Sequence, residues 1–201
     1  EILDICFEGL ATTLASRSMQ ALQANVTIVT VYKVAQVFSF FAKTFEEVLH
    51  RKEAILVTTC GDLHARIYQN FLDLWEAQAQ KLRQGVVGVY VSALSAPPFV
   101  MEAVSTLSEV LSIYEMAPIP AGEREADFLP ILSAAFDPLL NHCQQVASMM
   151  DRTDGQVFLL NCVSAMQAPL RKHEFTAQRV AMYEAVLEDQ ASQLMQGQAK
   201  A

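Results

Sequence analysis

The sequence predicts an all-α chain, an elongated array of about seven amphipathic helices in one or two stacked bundles. Two observations carry this. Apolar residues recur at steps of three and four along most of the length. Glycine and proline are scarce, 7 of each in 201 residues, where about 7% and about 5% are usual. The 52% of hydrophobic residues suffices for one sizeable core or the seam of an extended array.

Leu3, Cys6, Phe7, Leu10 and Leu14 form the first stripe, on a helix expected to run to about Gln23. Residues 26–45 begin with β-branched Val26, Ile28, Val29 and Val31, a strand-like composition. The spacing of Val31, Val34, Ala35, Phe38, Phe41, Ala42 and Phe45 is nevertheless helical. Thr44 and Glu47 have capping-box spacing and predict a fresh helix start. From Val48 through Ile55, Leu63, Ile67, Phe71 and Trp75 to Leu82 the period holds over about 50 Å of helix, with Cys60-Gly61-Asp62 as an expected bend or split.

Residues 86–98 break the pattern and predict a linker between a first bundle, 1–85, and a second, 99–201. Pro98 opens the next helix, whose stripe is Val100 or Met101, Val104, Leu107, Leu111 and Tyr114 and which Pro118 and Pro120 close. Residues 123–150 read as helix, with Pro130 and Pro138 predicting a late start or a kink. Asp154-Gly155 follows a polar turn, and Val157, Phe158, Leu160, Cys162, Val163 and Met166 predict a helix buried on more than one face. Thr176 reads as the N-cap of a last helix bearing Val180, Tyr183, Val186, Leu187, Gln190 and Leu194.

The net charge of -8 opposes nucleic-acid binding, which needs a basic footprint. The charge is localised: residues 99–151 hold 8 acidic groups and 1 basic. The uncharged stretch 84–101 contains Gly85, Gly88, Pro97 and Pro98, so it reads as a linker and not a membrane span. The cysteines at 6, 60, 143 and 162 are isolated in sequence, three of them in apolar helical contexts, which reads as reduced thiols of a cytosolic protein. The Asn25-Val26-Thr27 sequon is read as chance. The chain starts at Glu1, already inside an amphipathic pattern, and reads as an excised fragment.

No constellation points to chemistry. Cys60 and His64 are half of a metal site without a second pair. His142 and Cys143 face different directions on a helix. Gly85-Val86-Val87-Gly88 lacks the residues of a phosphate loop. The paired carboxylates (Glu46-Glu47, Glu123/Glu125/Asp127, Glu188-Asp189) sit at helix ends or solvated faces. No cofactor is expected. Phe38, Phe40, Phe41 and Phe45 fit an aromatic docking patch, although a core stripe is the commoner use, with Phe38, Phe41 and Phe45 sharing a face and Phe40 pointing elsewhere. The candidate partner-binding residues are Glu102, Glu109 and Glu115, for a basic partner, and Tyr183, Leu187 and Leu194, for a bundle-completing helix.

Residues 126–140, with Ala126-Asp127-Phe128-Leu129 and Phe136-Asp137-Pro138-Leu139-Leu140, resemble the sixth-subunit family of the conserved oligomeric Golgi (COG) complex. Phe158-Leu159-Leu160-Asn161-Cys162 is similar to that family's apolar run. Glu174-Phe175-Thr176, Arg179, Met182, Glu188 and Gln190-Ala191-Ser192 resemble its helix start and following helix. Ile5-Cys6 and Tyr32-Lys33-Val34 fit more loosely, and Pro130, Pro169 and Arg171-Lys172-His173 depart from the pattern.

The resemblance implies a helical-rod (CATCHR) tethering subunit without catalytic residues, peripheral on the cytosolic face of the Golgi. It implies a role in retrograde intra-Golgi vesicle tethering and thereby in glycosylation. Implied partners are other COG subunits, especially of the same lobe, SNAREs, Rab GTPases and coiled-coil tethers. The alternative from the residues alone is a compact all-α enzyme or ligand-binding bundle, with a radius of gyration of about 16–17 Å and a pocket of convergent polar groups.

Overall fold

The computed structural model describes residues 2–22, 26–84 and 94–198. Asn25, the Gly85–Gly88 segment and most of the expected linker lie outside them. The described residues form seven α-helices and no strand: α1 (Ile2–Leu22), α2 (Ile28–Leu49), α3 (Ile55–Gln84), α4 (Pro98–Glu115), α5 (Arg124–Ser148), α6 (Arg152–Leu170) and α7 (Ala177–Gln198), with a 3-10 turn at Glu174–Thr176. The chain divides into two compact units, residues 1–74 and 75–201.

In the first unit the helical period of residues 26–45 prevails over β-branched propensity, because a helix buries Val31, Tyr32, Ala35 and Phe38 on one side. Thr27 caps α2 by accepting the Thr30 N–H at 3.2 Å. Tyr32 lies 4.9 Å from Phe71 of α3, ring to ring. His64 donates from Nδ1 to the Ala35 carbonyl at 2.9 Å, tying α3 to α2 and fixing the tautomer. On α1 the inward positions are Phe7, Ala11 and Leu14. Cys6 and Leu10 of the expected stripe are exposed.

Thr44 does not start a helix. Its hydroxyl donates to the Phe40 carbonyl at 2.9 Å inside a continuous α2. The break comes at His50, left-handed at φ 50°, whose N–H reaches the Glu46 carbonyl. The α3 start is capped from α1: the Ile55 N–H donates to Asp4 Oδ1 at 3.2 Å, and Arg51 pairs with Oδ2 at 3.0 Å. These donors, the Ile55 amide first, help to lower the Asp4 carboxyl below the usual range. Gly61 neither splits nor ends α3, and a Cβ there would meet nothing within 4 Å.

In the second unit α6 is the central element, packed against α4, α5 and α7. Phe158, Leu159, Cys162, Val163, Met166 and Leu170 are all buried, so more than one face of α6 is covered. Asp154-Gly155 lies within the first turn of α6 and not in a loop. A Cβ on Gly155 would stand 2.3 Å from the Ala147 carbonyl oxygen of α5, so the close approach of α5 and α6 requires glycine. Pro130, Pro138 and Pro169 all sit inside helices, and α5 begins at Arg124 without the late start. Each removes an N–H donor and crowds the carbonyl four residues earlier, and each lies exposed or half-buried at the helix surface.

The loop between α4 and α5 is held by one side chain. Arg124 donates to the carbonyls of Ile119 (3.0 Å), Ala117 (3.2 Å) and Glu115 (3.3 Å). Beside it Tyr114, Phe128 and Phe175 form an aromatic knot with ring centroids 4.6 to 5.3 Å apart. Thr176 precedes α7, but its buried hydroxyl donates backwards, lying 2.6 Å from the Leu170 carbonyl and 2.8 Å from that of His173. It therefore closes the end of α6 instead of capping α7.

Candidate interaction surfaces

The aromatic segment of α2 splits between core and surface. Phe38 is buried, whereas Phe40 and Phe41 are 56% and 42% exposed and meet edge to face at 5.7 Å. Val37 and Val48 extend the exposed stripe at helical spacing. Phe41 thus shares the outer side with Phe40, while stacking on half-buried Phe45 at 5.8 Å. The reason is angular: Val31, Ala35 and Phe38 set the inward direction, and at 100° per residue Val37, Phe40 and Phe41 fall outside it.

Glu102, Glu109 and Glu115 are all exposed. Glu102 and Glu109 are seven apart and share a face of α4. Glu115 points to another side, where its Oε2 lies 3.6 Å from His173 Nδ1. Leu187 and Leu194 are half-buried on α7, but Tyr183 is fully buried against the Phe136 side of α5. Tyr183 is therefore a core residue and not part of a contact surface. Burial raises its phenol above the usual value, with Arg179 and Asp137 contributing opposed fields.

Those two residues flank a groove of about 680 Å³ along α5 and the start of α7. Glu125, Leu129, Leu132, Asp137 and Leu140 line one side, and Phe175, Gln178, Arg179 and Met182 the other. Arg179 is 9% exposed in its side chain; it donates to Asp137 Oδ1 and, at 3.3 Å, to Ser133 Oγ. Leu129 (44% exposed) and Met182 (40%) present apolar surface to the opening. The spacing of neither helix discloses this groove by itself, because Asp137 and Arg179 are 42 positions apart. The stretches 126–140 and 174–182, which carry the family resemblance, are the ones that meet across it.

Among the described residues no group of three His, Cys, Asp or Glu could hold a metal ion, and no helix is long and apolar enough to cross a membrane. Cys60 is buried, which pushes its thiol up, and the partner expected of it as a half-site, His64, is engaged by Ala35. Cys143 and Cys162 are not isolated from each other in space: the Cys143 thiol is raised by its contact with Cys162 and by burial, which keeps it protonated and unreactive. His142 is buried and stands edge-on to Phe99 at 5.5 Å.

The described residues are thus all-helical in their regular structure, with a groove and exposed apolar stripes at the surface. The chain belongs to the family described as Conserved Oligomeric Golgi complex subunit 6, C-terminal, whose profile matches residues 1–201. It is 31% identical over 180 residues to the Conserved oligomeric Golgi complex subunit 6 of Pyricularia oryzae, covering 90% of this chain and 25% of that one. It is 28% identical to the subunit of Chaetomium globosum (98% of this chain, 28% of the relative) and 27% identical to that of Homo sapiens (99% and 30%). The chain thus spans about a quarter to a third of the length of these curated relatives. No solved structure matches.

Proposed function

We propose that this chain is a non-catalytic part of a Golgi tethering subunit, acting in retrograde intra-Golgi vesicle tethering, and so in maintaining glycosylation, through helix-face contacts. The observation that carries the reading is the match of the whole chain to the subunit 6 family, with relatives of that name in fungi, plants and animals. The proposed partners are the other COG subunits, foremost those of the same lobe, with SNAREs, Rab GTPases and coiled-coil tethers as further contacts. The proposed location is peripheral, on the cytosolic face of the Golgi. An elongated CATCHR-type rod, with two bundles joined at residues 86–98, belongs to the same reading.

Supporting it are the exposed carboxylates of Glu102 and Glu109 and the half-buried Leu187 and Leu194, surfaces suited to protein contacts. The test is co-expression of residues 1–201 with the other COG subunits, affinity capture and size-exclusion chromatography at two salt concentrations. Co-elution is the expected result; a chain that stays partnerless at both salts contradicts the proposal. Reversing Glu102, Glu109 and Glu115 to Lys is expected to weaken capture and flatten its salt dependence. Unchanged capture excludes this acidic surface.

A further inference from the structure

We propose that the groove between α5 and α7 docks a basic amphipathic helix of a partner protein. This rests on the reading above that the chain works through protein contacts, and it names the chemistry of one such partner. The groove's α5 edge runs from Glu125 to Asn141. At 1.5 Å per residue that is about 24 Å, the length of four to five helical turns. Such a trough takes side chains at i, i+3, i+4 and i+7 of an incoming helix. Its apolar surface is Leu129, Leu132, Leu140, Phe175 and Met182. Met182, unbranched and 40% exposed, can repack around whatever enters.

Charge selects the occupant. Among the described residues Arg179 is the one cation lining the groove, and it is paired with Asp137. Arg124, the only cation in residues 99–151, directs its guanidinium at the carbonyls of the α4–α5 loop. Glu125 lines one end of the groove and is exposed. Residues 99–151, which supply the α5 wall, hold 8 acidic groups against Arg124 alone, so the field on that side is negative, and Lys or Arg flanking the incoming apolar stripe complements it. An acidic helix would be repelled there.

The probe is a fluorescein-labelled 18-residue peptide of Leu and Lys, with Leu at helical i, i+3, i+4 spacing, titrated into residues 1–201 by fluorescence anisotropy. Its controls are the same composition scrambled and the Leu/Glu counterpart. Preferential binding of the patterned Leu/Lys peptide is expected. The exposed double change Leu129→Ser, Met182→Ser should weaken it about tenfold, with circular dichroism checking the fold. Glu125→Lys should weaken it and reduce its salt dependence, and Phe40→Ser on α2 should change nothing.

The proposal is overturned by no binding, by equal binding of either control peptide, by indifference to the groove variants, or by self-association of the chain that the double change abolishes. Capture of COG subunits by the same variants separates the two readings. An unaltered chain that captures subunits but does not bind the patterned peptide refutes the groove while the tethering reading stands; an unaltered chain that neither captures subunits nor binds the peptide refutes both.

Discussion

The two compact units leave different kinds of apolar side chain at their surfaces. Among the described residues of 75–201 the central helix α6 is covered by three neighbours, and the large apolar side chains left exposed are mostly methionines: Met101, Met116, Met149, Met182 and Met195, with Leu129. In residues 1–74 the exposed ones are Ile2, Ile5, Leu10, Val37, Phe40, Phe41 and Val48. Methionine is flexible and tolerates water or a changing neighbour, whereas β-branched and aromatic side chains are the usual material of fixed cores. The apolar content of a helix therefore does not say how much of it is buried: α2 and α6 are both rich in apolar residues, yet α2 leaves Val37, Phe40, Phe41 and Val48 exposed while α6 leaves no large apolar side chain exposed.

The comparison can be broken first at the centre of the second unit. Phe158→Ala removes a fully buried ring from α6 and should cost about 3–5 kcal/mol, read as the urea midpoint of the helical signal. The loss is expected to fall on residues 75–201, while an equally large truncation at exposed Phe40 should stay within about 0.5 kcal/mol. A similar cost at both positions would mean that the outer side of α2 is covered.

Two glycines sharpen the contrast at smaller scale. Gly155→Ala forces a methyl against the Ala147 carbonyl and should destabilise by about 1–3 kcal/mol, because a backbone oxygen cannot swing aside. Gly61→Ala fills open space on a continuous helix and should stabilise by about 0.5–1 kcal/mol. Opposite signs in thermal melts check both.

The smallest effect concerns Asp4. Its folded carboxyl is held at about 2, so its contribution is complete above the unfolded value near 4 and disappears as pH falls through about 2. Asp4→Asn should lower stability at neutral pH, and the gap to the unaltered chain should close between about pH 4 and pH 2. A gap that stays constant down to pH 2 would refute the cap.

Much of the helical order was legible, because spacing of apolar residues and proline punctuation are local. Pro98, Pro118 and Pro120 bracket α4 as their chemistry dictates. The break after α2 was not legible. Thr44 and Glu47 imitate a start signal, while the true cap of α3 comes from Asp4, 51 positions earlier. Gly155 was read only as following a polar turn, and nothing in its sequence neighbourhood shows that its missing Cβ serves a contact between helices. On the surface, the exposure of Glu102, Glu109 and Glu115 followed from charge alone. Tyr183 shared a stripe with Leu187 and Leu194, and only the packing of α5 on the same side shows that it is core. The groove depends on Arg179 meeting Asp137, which no period within one helix records.

Amide hydrogen exchange on residues 1–201 tests the difference between the units most directly. Amides of residues 158–166 should exchange only through opening of the whole second unit, and those of residues 5–14 on α1 should exchange faster by orders of magnitude. Equal protection in α1 and α6 would contradict the account, since it would show that the first unit closes its core as fully as the second.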